Sequence, residues 1–151
     1  RARHDPAAGD IAAHLSLVFP FPTAHSQLQV ETHVTRVVSR WPRIPATFRR
    51  ARMHANEYLF LMAARGAASI TALHDKLYTR SLAPHLRRDI AYEPHLTIAR
   101  HAEFAALEGA LAEAHEEFPG EFNETIREVT LLAVGPNGRI SSLKTIPLAT
   151  A

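Results

Sequence analysis

The chain has 151 residues, 46% of them hydrophobic and 21% charged, with a formal net charge of +2 and no cysteine. That size and composition bound one globular domain, or two small lobes sharing a core. They exclude disulfides, thiol catalysis and cysteine-ligated metals, and no apolar run nears the roughly 20 residues that cross a bilayer. Arg1-Ala-Arg-His-Asp-Pro leads into no apolar stretch of the kind a signal peptide carries, so the expected location is cytoplasmic.

The cations are unevenly spread. Lys76 and Lys144 are the two lysines among 17 cationic side chains. Between Thr32 and Asn56, Arg36, Arg40, Arg43, Arg49, Arg50 and Arg52 occur without an Asp or Glu among them. Guanidinium forks grip phosphates, which makes this stretch a candidate RNA-facing patch; a solvated surface is the plain alternative.

An apolar run over residues 12–19 predicts a first strand, stopped by Phe19-Pro-Phe-Pro. Thr23 or Ser26 is placed to cap a helix with Val30, Val34, Val37 and Trp41 along one side, ended by Pro42 and Pro45. Residues 46–55 and 57–64 read as a hairpin turning near Asn56. Gly66 opens a second helix with Ile70, Leu73 and Leu77 on one face, and a basic loop over 79–89 follows. A strand over 94–99 comes next, then a helix over 101–118 with Phe104, Leu107, Leu111, Ala114 and Phe118 along one side. The chain closes with strands over 122–134 and 139–148 around the turn Gly135-Pro-Asn-Gly138.

Two of these strands carry nearly the same tetrapeptide, His14-Leu-Ser-Leu and His95-Leu-Thr-Ile. Side chains alternate along a strand, so each copy puts an imidazole and a hydroxyl on one face. Two such pairs facing one another supply two proton-transfer groups and two hydrogen-bond donors, which suits metal-free chemistry on a phosphate ester. The order strand, helix, hairpin also occurs twice. That order suggests two α+β lobes, at about 10–80 and 90–151, related by a pseudo-two-fold axis with the motif strands in the middle.

The paired triplets His14/Ser16 and His95/Thr97 resemble the signature of the 2H phosphoesterase superfamily, which includes 2′-5′ RNA ligase-like proteins and RNA 2′,3′-cyclic phosphodiesterases. The local matches are His14-Leu-Ser-Leu-Val-Phe-Pro-Phe and Tyr92-Glu-Pro-His-Leu-Thr-Ile-Ala-Arg100, and the similarity runs from about residue 10 to 148. The resemblance implies a bilobal α+β fold with duplicated antiparallel sheets, helices outside and a central active-site groove. Members usually begin with a further strand and helix, which this chain does not show ahead of His14. An exposed edge left there would favour pairing with another chain; oligomeric state stays open.

By that resemblance the substrate is an RNA end or a cyclic nucleotide bearing a 2′,3′-cyclic phosphate, and the product a 2′-phosphate. One histidine takes a proton from water and the other gives one to the departing ribose oxygen, each step contributing on the order of 10²–10⁴-fold. Ser16 and Thr97 donate to the non-bridging oxygens. No metal or other cofactor is implied, and in-line attack by a 5′-hydroxyl on the same cyclic phosphate would give 2′-5′ ligation. Which histidine is the base is left open.

Two more residues are candidates for substrate contact. Arg100 lies three positions beyond Thr97, on the opposite face of an unbroken strand, and either reaches phosphate or forms a salt bridge. Tyr92 either stacks on a base or packs in the core. A metal hydrolase is disfavoured, because His101-Ala-Glu103 and His115-Glu-Glu117 lack ligand spacing. The rival from another class is a non-catalytic RNA- or nucleotide-binding protein that keeps the groove.

Overall fold

The computed structural model describes residues 2–9, 11–117 and 119–150. Phe118, the last position of the apolar stripe in the third helix, and residue 10, where the family resemblance begins, lie outside them. The chain forms an α+β fold of two compact units. One is assembled from Arg1–Ser16, Ala46–Ala67 and Glu93–Glu124, the other from Leu17–Pro45, Ala68–Tyr92 and Thr125–Ala151.

The first unit is built on a four-stranded sheet. Strands β1 (Ile44–His54), β2 (Tyr58–Ala63), β3 (His95–Arg100) and β4 (Phe122–Ile126) lie in the order β3-β2-β1-β4. β2 pairs antiparallel with both β1 and β3. β1 and β2 join through Ala55 and Asn56, both with positive φ (51° and 55°), and the Glu57 N–H donates to the His54 carbonyl. Positive φ at both central positions is the twist that matches a right-handed hairpin.

Both neighbours of β2 carry a bulge. Opposite Met62 and Leu61 stand Arg49 and Ala51, so Arg50, with φ 58°, is the extra residue in β1. Opposite Phe60 and Leu59 stand Thr97 and Ala99, so Ile98 is the extra residue in β3. Each insertion resets the alternation of its strand. After the reset, Leu59 and Ala99 pack with Leu107, Ala110 and Ala114 of helix α3 (Phe104–Glu117), with Ala51, Met53 and Ile98 alongside. The other face carries Tyr58, Phe60 and Met62, flanked by Arg49, Arg52 and His54 and by His95, Thr97 and Arg100. The apolar face thus packs on α3, and the opposite face is polar and aromatic.

The second unit holds helices α1 (Gln27–Val38) and α2 (Ala67–Leu77, whose first residue lies in the first unit) with the antiparallel pair β5 (Glu128–Val134) and β6 (Ile140–Pro147). α1 starts in a capping box: the Ser26 hydroxyl accepts from the Gln29 N–H, and the Gln29 side chain accepts from the Ser26 N–H. Both orphan donors are satisfied reciprocally. Val34, Val38, Ile70, Leu73, Leu77, Leu82, Ile146 and Leu148 are buried. His33 is buried too, hydrogen-bonded through Nε2 to the Leu77 carbonyl.

Several sequence expectations need correcting. Residues 12–19 form no strand. A strand exists only where its backbone finds a ladder partner, and alternation alone cannot supply one; here the chain passes from one unit to the other between Ser16 and Leu17. The single strand expected over 122–134 is two, interrupted at Arg127, with β4 in the four-stranded sheet and β5 beside β6. The loop over 79–89 contains a 3-10 turn, Arg80–His85. Phe104 is exposed rather than on the buried stripe of α3.

Candidate active site

His95 opens β3 and shares its sheet face with Thr97, which stands opposite Phe60. Its Nδ1 lies 2.5 Å from the carbonyl oxygen of Glu93, two residues earlier. A carbonyl oxygen only accepts, so Nδ1 carries the proton and, in the neutral ring, Nε2 holds the lone pair. The ring lies flat on Phe60, centroids 3.7 Å apart and planes inclined by 20°, and Phe60 stacks in turn on His54 at 4.9 Å.

This setting pushes the His95 pKa down. Burial is the main cause; the hydrogen bond to the Glu93 carbonyl acts in the opposite sense, while His54 and Arg52 repel the cation. Arg52 itself is held 2.5 Å from the Glu93 carboxylate. The neutral imidazole therefore predominates at neutral pH, with a basic Nε2.

His14 lies outside any strand, yet repeats the same local arrangement. Its Nδ1 is 2.9 Å from the carbonyl oxygen of Ala12, again two residues earlier. Each motif histidine is thus tied back through Nδ1 to its own chain, and neither Nε2 is engaged in a hydrogen bond among the described residues. Ser16 follows His14 on the exposed side, and both motifs belong to the first unit.

The other two candidates are placed differently. Because Ile98 bulges, Arg100 stands opposite Tyr58 on the same face as Thr97, not the opposite face expected from an unbroken strand. Its guanidinium bonds the Glu57 carboxylate at 2.6–2.7 Å and lies 5.4 Å from the centre of the Tyr58 ring. Tyr92 belongs to the second unit, where its ring stacks on His74 at 3.7 Å with planes 8° apart. Burial, with Tyr78 and Asp75 nearby, pushes its phenol well above the ordinary tyrosine range.

Sequence reasoning passed over His54, Phe60 and the two tethering carbonyls. The tethers left no signal in the sequence, since Ala12-Ala13 and Glu93-Pro94, which precede the two histidines, share no residue type. Among the described residues, no group of three or more histidine or carboxylate side chains is placed to hold a metal ion, and no helix is long and apolar enough to cross a membrane.

An α+β fold with two His-x-Ser/Thr triplets, each imidazole tethered alike, defines a protein of the 2H phosphoesterase type. The chain belongs to the 2′-5′ RNA ligase superfamily, whose family model matches residues 1–135. Its fold is similar to that of Escherichia coli LigT in its apo form (TM-score 0.63, 18% identity, covering 99% of this chain and 86% of that one). It is equally similar to a crystal structure described as a phosphoesterase (TM-score 0.61, 19% identity, 99% and 87% covered). No curated protein matches it by sequence. Family and fold together support a phosphoesterase or ligase type of activity.

Proposed function

We propose that the protein hydrolyses 2′,3′-cyclic phosphate ends of RNA, or related cyclic nucleotides, to 2′-phosphates, with His14 and His95 as a proton-transfer pair. The observation that carries this reading is the shared tether: two imidazoles fixed through Nδ1, each offering Nε2. His95, held neutral by its burial on Phe60, acts as the base. Its Nε2 takes a proton from water as the water oxygen bonds to phosphorus, and the bond from phosphorus to the ribose 3′ oxygen breaks. His14, protonated, gives its Nε2 proton to that oxygen, so the product keeps the phosphate on the 2′ oxygen. Ser16 and Thr97 donate to the non-bridging oxygens, where charge grows in the transition state. Ligation takes the same course with a 5′-hydroxyl attacking phosphorus in place of water, the bond to the 3′ oxygen breaking and a 2′-5′ linkage forming. A cytoplasmic RNA pool fits the cysteine-free composition.

One observation favours a second reading. The first motif lies outside any strand, whereas Thr97 of the second is held in β3. A non-catalytic nucleotide-binding protein would tolerate that difference between the motifs. Turnover of a 2′,3′-cyclic mononucleotide, measured in EDTA for wild type, His14→Ala and His95→Ala, separates the two. Each substitution is expected to lower kcat by on the order of 10²–10⁴-fold. An inactive wild type whose nucleotide affinity survives both substitutions establishes the binding reading instead.

A further inference from the structure

Thr32 and Arg36 of α1, Ser39 and Arg40 just past its C-terminus, and Lys144 of β6 line a groove of about 380 Å³ in the second unit. Thr32 and Arg36 stand one turn apart on the exposed side of α1, and Ser39 and Arg40 follow past its end, so this side is polar and basic while Val34 and Val38 are buried on the other. Its volume is within the range that ligand sites occupy.

The charge in this groove is not cancelled from within. The Glu31 carboxylate lines it as well, but Lys144 lies 3.7 Å from it and the Gln27 amide donates to it at 2.7 Å. Arg36 and Arg40 then remain as two cations without an ion-pair partner among the described residues. Elsewhere in the run between Thr32 and Asn56 the arginines of the sheet face are matched: Arg49 with Glu121 and Arg52 with Glu93. A cation in the last turn of a helix is favourable by itself, by about 0.3–1 kcal/mol, which accounts for one charge there but not for a cavity lined with hydroxyls.

We propose that this groove binds the phosphodiester backbone of single-stranded RNA, as a contact separate from the paired histidines. Two guanidiniums four residues apart in sequence grip phosphate oxygens, and the Thr32 and Ser39 hydroxyls add the neutral donors that such contacts commonly include. Leu28, 72% exposed at the groove wall, offers an apolar surface to a ribose or base. The groove reads backbone and not sequence. The choice of RNA rests on the substrate class proposed above, while the contact itself does not depend on turnover.

The test uses the whole chain and a short single-stranded oligoribonucleotide with an ordinary 3′-hydroxyl, which cannot be turned over, followed by fluorescence anisotropy across a salt series. The double substitution Arg36→Ala/Arg40→Ala is expected to weaken binding about tenfold or more at low salt. It should also flatten the plot of log affinity against log salt by about 1.4, for two phosphate contacts on a single strand. Arg139→Ala, which removes one charge in the β5–β6 turn, is expected to change affinity less than about twofold. Turnover of a 2′,3′-cyclic mononucleotide should be unchanged in the double variant, so a failed catalytic reading and a failed groove are told apart. Equal binding by wild type and double variant, equal loss in Arg139→Ala, or no RNA binding by wild type overturns the proposal. An acidic peptide that binds as tightly, with the same sensitivity to the double substitution, overturns it in favour of a protein partner.

Discussion

A motif histidine does its work through two ring nitrogens, and in this chain one of them is already committed. Tethering Nδ1 to a carbonyl two residues back fixes the tautomer and aims Nε2, at the cost of a single local hydrogen bond. Phe60 then tunes His95. A histidine whose folded pKa lies below its ordinary value near 6.5 binds fewer protons than the unfolded chain in the interval between the two. Its contribution to stability is therefore complete above about 6.5 and is lost as pH falls through the folded value. Activity through a basic His95 follows the same direction, so the acid limb of kcat/KM is expected below 6.5. Phe60→Leu removes the stacked ring, admits water and should move that limb upward, which NMR titration of the His95 ring checks directly. A limb that stays in place would show that burial by Phe60 is not what depresses the group. The histidines and hydroxyls were legible in sequence because their repetition is improbable. Phe60 and His54 were not, because their role comes from strand register and not from residue type.

Element by element, what the sequence could show was the local period, and what it could not show was pairing. The α1 cap, which falls on Ser26 of the two residues offered, the buried stripe Ile70, Leu73 and Leu77, and the hairpin around Asn56 are all written in nearby residues, and all are present. The bulges at Arg50 and Ile98 are visible only once three strands lie side by side, and they decide which face Arg100 and Ala99 take. The turn at Ala55 is a case in which the residue fits its backbone poorly. Alanine at φ 51° carries the strain that a Cβ suffers in the left-handed region, whereas glycine does not. Ala55→Gly is expected to raise stability by about 0.5–1 kcal/mol, the strain relief exceeding the added freedom of the unfolded chain. Ser26→Ala, which removes the α1 cap, is expected to cost about 1 kcal/mol. Urea midpoints of the two variants check both, and opposite shifts are the diagnostic outcome.

Across the whole molecule, neither compact unit is a continuous stretch of chain. Each is assembled from three segments, and the backbone passes from one unit to the other at residues 16–17, 45–46, 67–68, 92–93 and 124–125. The element order read from sequence suggested consecutive halves, because periodicity reports what a segment is and not which sheet it joins. The break at Arg127, which divides the single strand expected over 122–134 between two sheets, is the clearest instance. Interleaving has a thermodynamic consequence. A unit whose three segments are tethered to the other unit at five of their six ends cannot close its core while those ends are unconstrained, so the two are expected to unfold in one transition despite a length near the two-state limit. Trp41, the single tryptophan, reports on the second unit, whereas Leu107 is fully buried in the first. Leu107→Ala removes core packing beneath β2 and β3 and should cost about 2–5 kcal/mol. If the units are coupled, Trp41 fluorescence registers that whole loss as a lowered urea midpoint with an unchanged slope. A midpoint that stays at the wild-type value, while the His95 ring signals of the first unit are lost earlier, would show that the crossings transmit no stability and that the four-stranded sheet unfolds alone.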